Sequence, residues 1–185
     1  MRPIFTIHAG EYLTASEIEK RFPDLRVWVP SKDTGIDLLV TDDRQNKVAS
    51  LQVKFSKDYL GTANQAAAPT EIASSGWWTF RRDKIATSAA DFWVLTLYQF
   101  QTRNFDFIVI SPLDLLARYD ELARKDDIIQ SYFCVTRAGR CWETRDLDGS
   151  DMSKIRSGEY SIKARDFSAY LNAWPFRGRK QSSAA

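Results

Sequence analysis

The chain is poor in the residues on which several common enzyme and scaffold classes depend. Its 185 residues include one histidine, His8, and two cysteines, Cys134 and Cys141. A single histidine excludes most histidine-rich metal sites and argues against mechanisms built on a Ser-His-Asp triad. Two cysteines cannot form a disulfide framework, so we expect both to be reduced thiols in the core or at a sheet edge.

The chain also lacks long hydrophobic segments and a strong charge of either sign. No run approaches the roughly 18 apolar residues of a membrane span, and the opening MRPIFTIHAGEY lacks the apolar segment of a secretory signal peptide. We therefore expect a cytoplasmic protein that does not contact membranes. The formal net charge is only +2, so binding to nucleic acid would require a local basic patch.

The composition is ordinary for a globular domain. Hydrophobic residues make up 44% of the chain and charged residues 27%, which is typical of a protein with a full core. We expect one domain over residues 1–176, followed by a basic tail over 177–185 that we expect to be disordered.

Two strands joined by a polar turn are predicted in the segment from Gly35 to Ser56. In the second strand, apolar and polar residues alternate from position 49 to 56, which is typical of a strand with one buried face. Gln52 and Lys54 would therefore project from the same face, about 6.5 Å apart. The apolar face of the first strand is predicted to consist of Ile36, Leu38 and Val40.

Asp37 is predicted to lie on the opposite face of that first strand. Burying both apolar faces on one side restricts the register, because a slip of one residue would turn every side chain over. A register that pairs Leu38 with Leu51 would place Asp37 across from Gln52, with Cβ atoms about 5 Å apart. Registers shifted by two residues would satisfy the same pattern.

These side chains have the chemistry of a phosphodiesterase site. The Asp37 carboxylate and the Gln52 carbonyl are hard oxygen ligands that suit Mg²⁺, which keeps several waters and takes few protein ligands. Lys54 would stabilise charge on a phosphoryl group or orient the attacking water. The alternative is that Asp37, Gln52 and Lys54 only form a solvated strand face.

The pattern of Asp37, fourteen intervening residues and then Gln52-Val53-Lys54 resembles the motif of the PD-(D/E)XK nuclease superfamily. Gln replaces the usual acidic residue, and an amide brings no negative charge, so a divalent ion would be held less tightly. The resemblance implies a restriction-endonuclease-like α/β core with a central mixed β-sheet flanked by helices. It also implies Mg²⁺ or Mn²⁺ bound by Asp37, Gln52 and the Val53 carbonyl, and DNA as the substrate.

A helix is predicted over residues 10–22, and Glu11 continues its apolar stripe through Ala15, Ile18 and Phe22. In resolvase-like members of the superfamily, a glutamate of the N-terminal helix supplies a further carboxylate to the metal site. The resemblance therefore implies that Glu11 assists catalysis and metal binding. The alternative is a first-turn glutamate stabilised by the helix dipole.

Two segments are candidates for contacts with nucleic acid. Residues 76–85, GWWTFRRDKI, interleave aromatic and basic side chains, which is typical of a segment that holds a backbone while a ring stacks on a base. The candidate residues there are Trp77, Arg81, Arg82 and Lys84. Alternatively, the aromatic residues belong to the core and the basic ones only solvate a face. Lys32 lies in a polar loop before the hairpin and would touch phosphate unless this is a plain surface loop.

The rest of the pattern predicts an α/β fold. Strands are predicted over 25–29, 90–101 and 105–110, and a helix from Pro112 to Arg124 with a stripe through Leu113, Leu116 and Tyr119. The polar, irregular segment over 57–75 is either a short helix with a loop or a mobile flap. An additional C-terminal hairpin over 129–144 would let Cys134 and Cys141 face each other. A last helix is predicted over 162–174.

The function that we expect is a metal-dependent endonuclease hydrolysing phosphodiester bonds in DNA, and the resemblance is consistent with a homodimer. The first alternative is a catalytically inactive module of the same fold that binds DNA or serves in assembly. The second is an unrelated α/β domain in which the motif arose by chance.

Overall fold

The structure, a computed structural model, describes residues 9–32, 34–57, 71–99 and 103–176. It is an α/β fold, and two sheets and four α-helices are formed by the described residues. The helices are α1 Ala9–Arg21, α2 Arg82–Ala86, α3 Pro112–Glu121 and α4 Gly149–Ser157. The strands are β1 Arg26–Trp28, β2 Leu38–Thr41, β3 Lys47–Lys57, β4 Ile72–Arg81, β5 Phe92–Tyr98, β6 Phe105–Ile110, β7 Ile128–Thr136 and β8 Cys141–Glu143.

The larger sheet is mixed and has the strand order β1-β2-β3-β5-β6. Its strands pair antiparallel except β3 and β5, which run parallel. The predicted hairpin register is confirmed, since Leu38 pairs with Leu51. The pairing of β3 with β5 is fastened by Asp91, whose carboxylate accepts hydrogen bonds from the backbone N–H of Ser50 at 2.8 Å and from its hydroxyl at 2.7 Å.

The face predicted for Ile36 is wrong. Leu38 and Val40 pack into the core beneath α1, but Ile36 packs against the core on the other side of the sheet. The reason is that β2 begins only at Leu38, so the alternation of a strand does not extend back to Ile36.

A second sheet, with the order β4-β7-β8, packs against the larger one. Its first strand, β4, begins at Ile72 and continues into the aromatic and basic segment. We expected no strand in either place, so the prediction of irregular structure is wrong for residues 72–75. Residues of β4 alternate between a buried face and a more exposed face; Trp78 and Phe80 are on the buried face and Trp77 is on the exposed face. Two of the three aromatic side chains therefore enter the core, as the second alternative predicts, and Trp77 does not. The contact of this segment with nucleic acid stays a prediction.

Two hydrophobic cores lie on opposite faces of the larger sheet. One core packs α1 against β3 through residues that include Ile18, Leu51 and Val53. The other unites the larger sheet with the second sheet and α3, and it contains Trp93 and Phe133. Since Gln52 and Lys54 alternate with Leu51 and Val53 along β3, they project from the face opposite to α1.

Helix α3 begins as predicted but buries a different stripe. Ser111 is its N-cap and accepts a hydrogen bond from the backbone N–H of Asp114, and Pro112 occupies the first turn. The buried residues are Leu115 and Tyr119, whereas Leu113 is exposed. The stripe predicted through Leu113 is therefore wrong at that residue.

The C-terminal part departs further from the prediction. Residues 162–174 form two short 3₁₀ turns, Lys163–Arg165 and Ser168–Tyr170, and the α-helix of this region is α4, which precedes them. The predicted hairpin is present as β7 and β8. Its register pairs Cys134 with Trp142 and Val135 with Cys141, so alternation places the two thiols on opposite faces of the sheet.

Several predictions lie wholly or partly outside the described residues. They concern the flap, of which residues 58–70 are not described, and the basic tail over 177–185. The domain boundary at residue 176 stays a prediction. Among the residues that the structure describes, no helix is both long and apolar enough to cross a membrane.

Gly10 offers a test of how closely α1 approaches β3. A Cβ atom at Gly10 would lie 2.5 Å from the Cβ of Phe55, a distance that real structures do not tolerate. We expect Gly10→Ala to lower the free energy of unfolding by about 1–3 kcal/mol despite the better helix propensity of alanine. Urea denaturation followed by circular dichroism would measure this change.

Gly149, at the start of α4, is the matched control, because a Cβ atom there would have no neighbour within 4 Å. Gly149→Ala should leave stability unchanged or raise it slightly. Equal stability of the Gly10→Ala and Gly149→Ala variants would contradict the close packing of α1 on β3.

Candidate functional site

The polar face of β3 opens into a cavity of about 630 Å³. Its lining includes Gln52 and Lys54 from β3, Arg81 at the end of β4 and Lys84 from α2. The loop before β2 contributes Thr34 and Gly35. The structure thus brings two residues of the predicted catalytic group together with two residues of the predicted nucleic-acid contact.

Asp37 lies at the point where the ladder between β2 and β3 ends. Its backbone N–H donates to the Leu51 carbonyl at 2.8 Å, and its Oδ2 accepts a hydrogen bond from the backbone N–H of Val53 at 2.8 Å. These two bonds are made to the residues on either side of Gln52, so the carboxylate is fixed at the edge of β3 next to Gln52. Asp37 does not itself line the cavity.

The carboxylate of Asp37 is only partly used by this arrangement. Its Oδ1 has no hydrogen-bond or ion-pair partner within the described parts of the chain, and the same holds for the side-chain amide of Gln52. The Val53 carbonyl leaves β3 on the same edge as its N–H, as it must in an extended strand. The Asp37 carboxylate and the Val53 carbonyl therefore lie on the side of β3 that faces β2, and the Gln52 side chain between them in sequence projects from the face of the sheet.

Lys54 is positioned by aromatic packing. Its Nζ lies 5.6 Å from the centroid of the Trp93 ring, a cation–π arrangement. Trp93 is buried and is oriented by its indole N–H, which donates to Ser88 Oγ at 2.9 Å. A second indole, that of Trp78, donates to the Lys54 carbonyl at 3.3 Å. The ammonium group therefore has a defined place above Trp93 in the cavity.

Arg81 and Lys84 form the basic side of the cavity. The Arg81 guanidinium makes a two-point contact with the Asp83 carboxylate, Nε to Oδ1 at 3.1 Å and Nη2 to Oδ2 at 2.9 Å. This contact raises the pKa of Arg81, chiefly through the hydrogen bonds to Asp83. Both Arg81 and Asp83 are largely exposed, so the ion pair is weak and open to competition by a phosphate.

The other candidates for contacts with nucleic acid lie away from the cavity lining. Arg82 Nη2 donates to Asp120 Oδ1 at 2.8 Å and to the Arg124 carbonyl at 2.6 Å, so its guanidinium packs against the end of α3. Lys32 is exposed in the loop after β1 and does not line the cavity. Trp77, with 44% of its surface exposed, lies on the same face of β4 as Arg81.

Glu11 lies in the first turn of α1 and is 5% exposed. Because α1 packs on the Phe55 side of β3, Glu11 projects from a helix on the opposite side of the sheet from Gln52 and Lys54. It does not line the cavity. Its participation in the site stays a prediction.

The donor atoms at the edge of β3 fit a weakly held, hard divalent cation. Asp37, Gln52 and the Val53 carbonyl offer oxygen atoms only, and Mg²⁺ is commonly bound by one or two carboxylates with water completing its shell. A cluster of three or more acidic, histidine or cysteine side chains that could hold a metal ion is absent from the described residues. Asp37 would therefore supply the only formal negative charge among these three donors.

A larger cavity of about 870 Å³ lies between the C-terminal half of α1 and the turn joining β5 to β6. Its lining includes Lys20, Arg21 and Asp106. The Asp106 carboxylate is already engaged, since it accepts hydrogen bonds from Ser74 Oγ and from Gln99 Nε2 at 2.9 Å. We prefer the smaller cavity as the site because it brings Gln52 and Lys54 of the predicted catalytic group together with Arg81 and Lys84.

Sequence reasoning missed some residues that shape the site. Trp93, Ser88 and Thr79 line the cavity, and none was a candidate. Trp93 was predicted only as a residue of a strand buried on both faces. The signal that would have identified it is the parallel pairing of β3 with β5, which sets Trp93 beside Gln52.

Comparison of the chain with models of protein families, with curated proteins and with solved structures found no match.

Proposed function

We propose that the protein is a metal-dependent nuclease that hydrolyses phosphodiester bonds in DNA at the cavity formed by β3, β4 and α2. The observation that supports this most is the convergence of Gln52 and Lys54 with Arg81 and Lys84 in one cavity, beside the half-occupied carboxylate of Asp37. Gln52 and Lys54 suit the chemistry of the phosphoryl group that reacts. Arg81 and Lys84 suit the binding of neighbouring phosphates on the DNA backbone.

Each residue has a distinct role in this proposal. Asp37, Gln52 and the Val53 carbonyl would hold Mg²⁺ or Mn²⁺, which when bound lowers the pKa of water and offsets charge on a phosphate. Lys54 stabilises the negative charge that develops on the phosphoryl oxygens, and its contact with Trp93 keeps the ammonium in place. Arg81 and Lys84 bind phosphates on either side of the scissile bond.

One alternative has a specific observation in its favour. Gln52 contributes no charge, and the described residues include no cluster of three or more acidic, histidine or cysteine side chains that could hold a metal ion. Such a site is also expected in a catalytically inactive module that binds DNA through Arg81 and Lys84. In that case the wild-type protein would bind DNA but release no cut product with either Mg²⁺ or Mn²⁺.

Asp37→Asn tests the catalytic proposal without removing the structural bond of Asp37. Asparagine retains an oxygen to accept the Val53 N–H but loses the charge, so the fold should persist while cleavage falls by about 100-fold or more. Cleavage of plasmid, duplex and single-stranded DNA with Mg²⁺ and Mn²⁺ would be measured by gel electrophoresis.

Asp43→Asn is the matched control, because Asp43 is an exposed acidic residue in the turn of the same hairpin, paired with Arg26 at 3.2 Å. It should cleave like the wild type. Wild-type activity in Asp37→Asn would remove the catalytic assignment.

The charge of the cavity rim should appear in the salt dependence of binding. The double variant Arg81→Ala/Lys84→Ala should weaken DNA binding and reduce the slope of log affinity against log salt concentration by about 1.5–2. Binding would be followed by fluorescence anisotropy between 50 and 200 mM salt (roughly the range over which counterion release dominates).

Lys20→Ala/Arg21→Ala is the control, because it also removes two positive charges, but from the larger cavity. It also breaks one exposed ion pair, that of Arg21 with Glu17. Its salt slope should equal that of the wild type. If the control reduces the slope and the Arg81/Lys84 variant does not, DNA binds at the larger cavity instead.

A further inference from the structure

The outer face of the second sheet carries an aromatic surface next to the proposed site. In the register of β4 with β7, Trp77 is directly opposite Tyr132 and Thr79 is opposite Gln130. Directly opposed residues of an antiparallel pair project from the same face. Trp77 is 44% exposed and Tyr132 37% exposed, so two neighbouring rings are presented to solvent.

One end of this face packs under α4. At that end, Cys134 and Trp142 pack beneath Ile155 of α4 and Tyr160. At the opposite end, Trp77 and Tyr132 are partly exposed, and neither ring is a member of the hydrophobic clusters formed by the described residues.

The Tyr132 ring has a fixed orientation, and Trp77 lies on a backbone segment that is tied to β3. The Tyr132 hydroxyl accepts a hydrogen bond from Arg145 Nη1 at 2.7 Å, and the Arg145 guanidinium lies 5.0 Å from the centroid of the ring. The backbone N–H of Trp77 donates to Ser56 Oγ at 3.1 Å, which ties this part of β4 to β3. Rigid rings that need no reordering are good stacking surfaces, and guanidinium planes also stack with bases.

The aromatic surface is continuous with the cavity. Thr79 follows Trp77 by two residues on the same face of β4, about 6.5 Å further along the strand, and both Thr79 and Arg81 line the cavity. A strand that lies across Trp77 and Tyr132 would therefore enter the cavity beside Lys54 after one or two nucleotides.

The charges near the rings favour single-stranded over double-stranded DNA as the ligand of this surface. Arg81 is paired with Asp83, and Arg145 is paired with Asp146 at 3.1 Å. These two arginines thus add little unbalanced positive charge to the stacking surface, and Lys54 and Lys84 lie beyond it in the cavity. A duplex hides its base faces and is held mainly through its phosphates. Exposed rings with modest charge suit unpaired bases, which offer a stacking face whatever their sequence.

We propose that Trp77 and Tyr132 form a stacking surface for unpaired bases, so that the substrate is DNA with a single-stranded segment that this surface leads into the cavity. The proposal rests on the proposed nuclease function for its substrate. Its binding step can be measured separately, because stacking requires neither metal nor cleavage.

The test measures binding in EDTA by fluorescence anisotropy. The probes are a labelled 12-nucleotide single strand, the same sequence as a duplex, and the same strand with abasic sites in place of its bases. The wild type should bind the single strand about tenfold or more tightly than the duplex or the abasic strand. Trp77→Ala and Tyr132→Ala should each weaken binding of the single strand about tenfold, and Trp77→Phe, which keeps a ring, should restore most of the affinity.

Trp28→Ala is the matched control, since Trp28 is 52% exposed but lies on β1 of the larger sheet. It should bind every probe like the wild type. Equal binding of the abasic strand and the normal strand would overturn the proposal, and so would wild-type affinity in both Trp77→Ala and Tyr132→Ala. An RNA strand of the same sequence that binds more tightly than DNA would overturn the choice of DNA.

The failure of this proposal is distinguishable from failure of the nuclease function. If the wild type cleaves but Trp77 and Tyr132 prove dispensable for binding, only the substrate proposal fails. If single strands bind through the two rings but no cleavage occurs, only the catalytic function fails.

Discussion

The hydrogen bond from the Val53 N–H to the Asp37 carboxylate is the interaction on which the candidate site depends. In a regular antiparallel ladder, a backbone carbonyl of the neighbouring strand would accept that N–H. Here a side chain does so, because β2 begins only at Leu38 and the chain before it has turned out of the ladder. The substitution places the Asp37 carboxylate beside β3 at the point where β2 ends, next to Gln52, and leaves its second oxygen without a hydrogen-bond partner among the described residues.

The parallel pairing of β3 with β5 provides the second constraint. It sets the residues of β3 beside those of a strand that is buried on both faces. Trp93 of that strand therefore lines the cavity and makes a cation–π contact with the Lys54 ammonium group. An ammonium group on a flexible side chain would otherwise sample many rotamers at a cost in entropy when it acts. The contact with the Trp93 ring restricts the rotamers of Lys54 before a substrate binds.

The hairpin could be predicted from the sequence because its alternation is regular and one register buries both apolar faces. Strand β4 could not, because its inward face includes Ser74 and Gly76, small residues that let it cross close to Ser56 of β3. Their small size removes the hydrophobic signal of a strand. The stripe predicted for α3 is confirmed at Tyr119 and Leu116 but is wrong at Leu113, because two overlapping stripes exist between residues 113 and 122 and packing buries Leu115 in place of Leu113.

The predicted last helix failed for a different reason. Its aromatic spacing is real, and Phe167 is fully buried, but the backbone there makes bridges to the two sheets, Leu171 to Ile108 and Asp166 to Trp142. Backbone groups committed to neighbouring strands cannot also close the hydrogen bonds of a helix. The spacing of the aromatic residues alone does not distinguish an α-helix from two short 3₁₀ turns, because both structures bury the same rings.

The small net charge of the chain is compatible with a nucleic-acid enzyme if affinity comes from surfaces and not from a long-range field. Ion pairs such as those of Arg81 with Asp83 and Arg145 with Asp146 reduce attraction to phosphate at a distance. They leave the Arg145 guanidinium beside the Tyr132 ring and the Arg81 guanidinium at the cavity. Stacking acts only at contact and only on exposed bases. A surface of this kind would discriminate against intact duplex, which is the more abundant competitor, and would limit cutting to strands that are already unpaired. In such an enzyme a weakly charged metal site is less of a disadvantage, because the substrate is held in place by the rings and not by the cation.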